Sequence, residues 1–149
     1  MSSVTGDKEL TKQLTAIARG VRKATRRAVN KGLTVIRKAV ADEAPVGKTR
    51  SVKKSIGKRL NKLSGSTPEI TGKVGPGVGK KKLKKDGSKS DRSPHAHLSV
   101  LGTVERFTKR GASRGIMPQN DFVSRGFARS QTAAAATVES SFAAEFANH

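Results

Sequence analysis

The sequence predicts a small α+β protein, with a long N-terminal helix packed on a small antiparallel β-sheet, a C-terminal helix and a long basic loop. Three observations predict this class. Apolar residues recur at helical spacing from Leu10 to Ala44 and again from Val123 onward. Between them, short stretches alternate apolar and polar residues and are separated by turn-forming residues, which is typical of short strands.

Composition indicates a small core. The 149 residues suit one domain, and Val, Leu, Ile and Phe make up only about a fifth of them. The net charge is +20, and there is no Cys, Trp or Tyr. Such a chain buries little apolar surface and repels itself, so we expect copies or partners to complete it. No run is apolar enough for a signal peptide or a membrane span, so we expect a soluble protein without a membrane partner.

The first helix follows residues 1–7, which we expect to be flexible. Its apolar residues are spaced by three and four, with a small phase shift before the last four: Leu10, Leu14, Ile17, Val21, Ala24, Ala28, Leu33, Ile36, Val40 and Ala44. Asp7 is a candidate cap and Pro45 stops the pattern. The stretch Asn30-Lys31-Gly32 is its weak point, and the sequence leaves open whether the helix is continuous, kinked or broken there. Uninterrupted, the helix would be about 55 Å long, so part of it should pack against another subunit.

The stretch after Pro45 predicts a short helical turn and a hairpin. Thr49 is a candidate cap for the turn, with Val52 and Ile56 one turn apart. The basic run with Leu60 and Leu63 fits a strand or the end of that turn, and residues 64–68 have turn chemistry. Residues 69–78 alternate and predict a strand that completes the hairpin.

The next segments predict a lysine-rich loop over residues 79–94, a strand over residues 95–103 and a second loop over residues 104–120. His95 and His97 would share one side of that strand. Neither a Cys nor a convincing third ligand accompanies them, so we favour a structural or surface role over zinc binding.

The last helix is expected to begin after Asn120 or Asp121, which would cap it. One predicted apolar stripe supplies much of the core: Val123, Phe127, Ala134, Val138, Phe142 and Phe146. We expect Phe122→Asp or Phe127→Asp to block folding or assembly, because each would bury a carboxylate without a partner. Residues 8–146 would form one domain, followed by a tail at 147–149.

The sequence contains no recognisable catalytic or cofactor motif. The glycine-rich stretch of residues 72–80 lacks the spacing of a nucleotide-binding loop and contains a proline, and the adjacent acids Asp42 and Glu43 lie at a helix end. We expect no enzyme, no cofactor and no metal. Ten cations are candidate contacts for an anionic partner, although a solvated helix face also explains the first five: Arg19, Arg22, Lys23, Arg26, Arg27, Lys80, Lys81, Lys82, Lys84 and Lys85.

Several short motifs occur in a characteristic order along residues 8–146. They are Ala44-Pro45-Val46 with Ser55-Ile56, then His95-Ala96-His97 leading to Leu101-Gly102-Thr103, and finally Pro118 with Asp121-Phe122. In this order the chain resembles the tail-component family of long-tailed bacteriophages, the tail-completion or head–tail joining (neck) proteins. The motif positions that we take as structural are Pro45, Val46, Ser55, Ile56, Gly102, Thr103, Pro118, Phe122 and Phe127.

The resemblance implies a structural virion protein that forms a ring, commonly six-fold, at the phage neck. Such a ring completes the tail, joins it to the head connector and leaves a channel for DNA. It implies contacts with connector, adaptor or stopper proteins on one side and with tail tube or terminator proteins on the other. Assembly would take place in the host cytoplasm. The alternative is a basic protein that binds nucleic acid without sequence preference, against which the lack of aromatic residues counts.

Overall fold

The computed structural model describes residues 6–46, 51–61, 69–79, 82–83, 89–90 and 96–147. Its elements follow the chain in this order: α1 Gly6–Glu43, α2 Ser51–Ser55, β1 Ile56–Leu60, β2 Gly72–Pro76, β3 Lys82–Leu83, β4 Lys89–Ser90, α3 Ala96–Leu101 and α4 Phe122–Ala147. A long N-terminal helix packs on a two-stranded antiparallel sheet and on a C-terminal helix, which confirms the predicted α+β class.

Helix α1 runs without a break through all 38 of its residues and ends just before Pro45, as predicted. The kink or break considered at Gly32 does not occur. A Cβ built on Gly32 would lie 2.5 Å from the Cγ2 atom of Val138 and 3.2 Å from the carbonyl oxygen of Ala134. Glycine at this position therefore lets α4 approach α1 closely and does not interrupt the helix.

Helix α4 lies antiparallel to α1. Near its start, Arg129 Nη1 lies 3.1 Å from Glu43 Oε1, and near its end Glu145 Oε2 accepts a hydrogen bond from Arg27 Nη1 at 2.8 Å. The core sits where the two helices meet the hairpin, and its buried side chains are Val40, Ala44, Ile56 and Phe122.

The predicted hairpin is present as strands β1 and β2, paired from Ile56 opposite Pro76 to Leu60 opposite Gly72. Ile56 therefore opens a strand, although its spacing from Val52 had placed it in the helical turn. Lys58 fastens the hairpin to α1, because its Nζ donates to the carbonyl oxygen of Asn30 at 2.8 Å and to the hydroxyl of Thr34.

Residues 96–101 form helix α3, so the strand predicted over residues 95–103 is wrong there. In a helix, Ala96 and Val100 lie one turn apart on the same face, which allows Ala96 to be buried and Val100 to pack against the core. His97 is exposed. Gly102 ends the helix in the left-handed conformation, with φ +73°, as is common after a helix.

The predicted second loop is largely an antiparallel arm. Thr103 pairs with Met117 and Phe107 with Ser113, and backbone hydrogen bonds join the two sides between these bridges. We call residues 103–117 the β-arm. Within the predicted lysine-rich loop, the backbone of β3 pairs with that of β4. Thr49, Leu63, the turn at residues 64–68 and His95 lie outside the described residues.

Helix α4 begins at Phe122, directly after Asp121, whose carbonyl oxygen accepts from the amide of Arg125 at 3.0 Å. The predicted apolar stripe on α4 is confirmed at Ala134, which is buried, and in part at Val123, Val138 and Phe142, which are half-buried, but it is wrong at Phe127 and Phe146. The residues that α4 buries are Phe122, Gly126, Ser130, Ala134 and Ser141. Small residues allow α4 to lie close to α1, and at that distance a phenylalanine does not fit between the helices. Phe127 and Phe146 therefore lie at the flanks, about half exposed.

Candidate functional site

Three exposed surfaces stand out on the described part of the chain. The first is the N-terminal part of α1, residues 7–17, which we call the overhang. The second is a cationic groove beside α1, and the third is the β-arm. None of them has the geometry of a catalytic centre, and we therefore treat them as interaction surfaces.

The overhang extends past the end of α4. Phe146 of α4 lies beside Ile17 and Val21, and every residue from 7 to 19 is exposed. Leu10, Leu14 and Ile17 are 55%, 58% and 62% exposed, although their spacing places them on one face of the helix. The sequence predicted an apolar stripe here. The structure shows that nothing in the described part of the chain covers its first third.

The overhang also differs in charge from the rest of the chain. Residues 7–17 contain two acids, Asp7 and Glu9, and two bases, Lys8 and Lys12. Their charges cancel, whereas the whole chain carries +20. The overhang is thus an apolar and electrically balanced surface on a strongly basic protein.

The cationic groove has a volume of about 400 Å³. Its charged lining is the first half of the predicted set of anion contacts: Arg19, Arg22, Lys23, Arg26 and Arg27. Asn30 and Leu60 complete the lining, so strand β1 forms one wall. The five cations occupy eight residue steps of α1, or about 12 Å along the helix axis.

The described part of the structure does not place the other predicted anion contacts at this groove. Lys82 lies in β3, of which only the backbone is described. Lys80, Lys81, Lys84 and Lys85 lie outside the described residues. Their role as contacts to an anionic partner stays a prediction.

Lys58 is the one described side chain with a shifted pKa. Burial against α1 lowers the pKa of Lys58 below its ordinary value of 10.5, and the nearby positive charge of Arg37 lowers it further. Its two hydrogen bonds to α1 indicate a structural role. Lys58 therefore belongs to the hairpin contact and not to the lining of the cationic groove.

The β-arm was missed as an interaction surface by the sequence analysis. Val104, Phe107 and Ile116 are exposed on it, together with the cations Arg106, Lys109, Arg110 and Arg114. The one available signal was the turn-forming glycine Gly111, which takes a positive φ of +81° at the tip of the β-arm. The basic, glycine-rich composition of the segment hid it.

The positions of the family motifs lie mostly around the core. Ser55, Ile56 and Phe122 are buried, and Thr103 holds the base of the β-arm through its backbone and hydroxyl bonds with Met117. Pro45 and Val46 follow α1, Gly102 follows α3, and Pro118 joins the β-arm to the start of α4. Of the two phenylalanines among the motif positions, Phe122 is buried, whereas Phe127 is 48% exposed.

Phe127 borders an apolar groove between α1, β2 and α4. The groove has a volume of about 400 Å³ and is lined mainly by Leu33, Ile36, Val40, Val74, Val123 and Phe127. A smaller hollow of about 210 Å³ continues from Phe127 along α1 and α4 to Val138. We call the two together the Phe127 groove.

No group of histidine and acidic side chains in the described ranges is arranged to hold a metal ion. Among the described helices, none combines the length and apolar character needed to cross a membrane.

A model of one protein family matches residues 8–98, which is more than half of the chain. The family is described as "Bacteriophage HK97-gp10, putative tail-component". The match spans α1, the hairpin and the start of α3, and it ends before the β-arm and α4. No curated protein and no solved structure gave a significant match.

Proposed function

The chain belongs to the HK97-gp10-like family of bacteriophage tail components, and from this premise we propose that it forms a ring at the phage neck. As a family member it is a structural tail component of the virion. More specifically, we propose that several copies of the chain close into a ring, and we expect six copies. This ring would complete the tail and join it to the head connector.

The observation that carries the proposal is the overhang. Each of its three large apolar side chains is more than half exposed, on a helix that continues well past its intramolecular partner. Leaving such a stripe in water forfeits roughly 25 cal/mol for each Å² of apolar surface that could be buried. A neighbouring subunit that covers the stripe would recover this free energy.

The Phe127 groove is the surface that we propose receives the overhang of the next copy. It is apolar, as an amphipathic helix requires, and it lies between α1 and α4. The donor and receiver surfaces differ, so the contact is heterologous. Repeated around an axis, a heterologous contact generates a closed ring when its rotation closes, and closure is part of the proposal.

Charge supports a second copy of this chain as the occupant. Two proteins of net charge +20 repel each other, and a basic segment would add to that repulsion. The overhang is electrically balanced, so it can approach another copy without this additional cost. The cations of the groove begin only at Arg19, so the overhang lies outside the basic part of α1.

The proposed neighbours are a connector, adaptor or stopper protein on the head side and a tail tube or terminator protein on the tail side. The ring would leave a channel for DNA. Assembly would take place in the host cytoplasm, before incorporation into the virion neck. The exposed β-arm offers a surface for one of these neighbours, because its apolar side chains are not covered by the described part of the chain.

Electron microscopy of particles made without this chain tests the proposal. A stop codon in its gene should yield separate heads and tails, and expression of the wild-type chain in trans should restore joined particles. A variant with Leu10, Leu14 and Ile17 replaced by Gln should not restore them. Complete, joined particles in the absence of the chain would contradict the proposal.

A second candidate function is nucleic-acid binding outside any particle. The cationic groove is the specific observation that favours it. The same microscopy separates the two functions, because a protein that acts only outside the particle would leave heads and tails joined when it is absent.

A further inference from the structure

We infer that the cationic groove binds the phosphate backbone of duplex DNA without regard to base sequence. This inference stands independently of the proposed ring, since it concerns a different surface of the chain. It rests on the density of charge in the groove, on the lack of intramolecular neutralisation and on the chemistry of the lining.

The charge density of the groove approaches that of duplex DNA. Five cations along about 12 Å of helix axis give about one positive charge every 2.4 Å, or about one every 3 Å when Arg27, which is paired with Glu145, is left out. Duplex DNA carries about one negative charge every 1.7 Å of its axis. Ordinary protein surfaces, with about a quarter of their residues charged and both signs mixed, present a much lower density of carboxylates. The similar spacing of charge along the groove and along DNA favours a polyphosphate partner over an acidic protein.

Most of this charge is not neutralised within the molecule. Arg27 is paired with Glu145, but within the described residues no ion pair involves Arg19, Arg22, Lys23 or Arg26. Arg19, Arg22 and Lys23 are exposed, whereas Arg26 is half-buried. Three charged groups are therefore available to a ligand without breaking any contact that holds the fold together.

The lining chemistry favours backbone contact over contact with bases. Four of the five cations are arginines, whose planar guanidinium groups bind phosphate oxygens in a bidentate manner. None of the described side chains that line the groove is aromatic, so they offer no platform on which bases could stack. Such a site holds the backbone of a duplex and does not recognise individual bases.

The test measures binding of a fluorescent 20-base-pair duplex by anisotropy between 50 and 300 mM salt. The groove variant is Arg19→Gln/Arg22→Gln/Lys23→Gln, since glutamine keeps the helix propensity of α1. The matched control is Arg106→Gln/Arg110→Gln/Arg114→Gln on the β-arm, which removes the same charge from other exposed positions. Circular dichroism establishes that both variants retain the helical content of the wild type.

We expect the groove variant to bind at least about tenfold more weakly than the wild type at 100 mM salt. Its plot of log affinity against log salt should be less steep by about 2.7, the value for three lost phosphate contacts. The β-arm control should remain within about threefold of the wild type. A charge-preserving variant, Arg19→Lys/Arg22→Lys, should also remain within about threefold.

Three results would overturn the inference. Equal weakening in the two triple variants would mean that net charge alone attracts DNA, and no weakening in either would place binding elsewhere. Tighter binding of polyglutamate than of the duplex, compared at equal concentration of charge, would identify the partner as an acidic protein surface. None of these results bears on the ring, which is tested by the association of copies in the absence of DNA.

Discussion

Gly126 of α4 lies directly against Val40 of α1. A Cβ built on Gly126 would be 2.5 Å from the Cα of Val40 and 2.8 Å from its amide nitrogen. Both contacts are to backbone, which cannot rotate away as a side chain can. The two helices therefore approach each other at a distance that only glycine permits, next to the buried ring of Phe122.

Gly126→Ala should lower the free energy of unfolding, even though alanine is the better helix former. The added methyl must push α4 away from α1, and overpacking of this kind costs about 1–3 kcal/mol. Urea unfolding measures the change. Gly20→Ala is the control, because nothing lies within 4 Å of a Cβ at Gly20 and its expected effect is a gain of up to about 1 kcal/mol. Equal effects at the two glycines would contradict the close packing of the helices.

Phe122 and Phe127 should respond differently to truncation. Phe122 is 0% exposed and Phe127 is 48% exposed. Phe122→Ala should cost about 3–5 kcal/mol of unfolding free energy, because it leaves a cavity in the core. Phe127→Ala should cost about 1 kcal/mol. The same urea titration measures both, and a larger loss at Phe127 would mean that α4 is rotated relative to its placement here.

Phe127→Asp should accordingly fold and fail to associate, whereas the sequence had led us to expect a block of either folding or assembly. The exposed half of the ring leaves an aspartate at this position access to water, so the carboxylate is not buried without a partner. Circular dichroism should show wild-type helical content, and sedimentation should show loss of the oligomer. An associated Phe127→Asp protein would remove the Phe127 groove from the proposed interface.

Lys58 should make the stability of the hairpin contact depend on pH at alkaline values. Its pKa in the folded protein is lowered, first by burial and then by Arg37. Between that lowered pKa and 10.5, the unfolded chain binds more protons than the folded one, so the contribution of Lys58 to the free energy of unfolding rises with pH. Below the lowered pKa this contribution is constant and at its least favourable.

The measurement for Lys58 is urea unfolding of the wild type and Lys58→Gln from pH 7 to pH 10.5. The difference in unfolding free energy between them should shift in favour of the wild type as the pH rises. A difference that does not change with pH would show that the pKa of Lys58 is the same in the folded and unfolded states.

The long elements of this fold could be predicted from sequence because their spacing is repeated many times. The stripe of α1 extends over ten apolar positions, and Pro45 marks its end unambiguously. Residues 96–101 could not be assigned in the same way. In six residues the alternation of a strand and the i, i+4 spacing of a helix coincide at Ala96 and Val100, so the spacing does not distinguish a strand from the helix that forms.

The buried face of α4 was mispredicted in part, because hydrophobicity gave more weight to Phe127 and Phe146 than to glycine and serine. Gly126, Ser130 and Ala134 lie against α1, and Ser130 is satisfied by donating its hydroxyl hydrogen to the carbonyl oxygen of Gly126 at 2.7 Å. Close helix packing selects small residues at the contact, and this requirement depends on the partner helix. A pattern read from α4 alone does not contain it.

The candidate surfaces were predictable to different degrees. The spacing of Arg19 to Arg27 predicts a cationic stripe, and the structure adds the wall formed by Leu60 that makes it a groove. The stripe at Leu10 and Leu14 was equally clear, but periodicity does not tell whether a chain covers its own apolar face. That depends on how far α4 extends along α1, and Phe146 near its end reaches only Ile17 of the overhang.

The mass of the purified protein in solution tests the central claim most directly. Sedimentation equilibrium at moderate salt, without DNA, should give a discrete multiple of the 15.8 kDa chain mass for the wild type. A variant with Leu10, Leu14 and Ile17 replaced by Gln should fold and sediment as a 15.8 kDa monomer. A wild-type protein that stays monomeric up to the highest soluble concentration, or a variant that assembles like the wild type, would contradict assembly through the overhang.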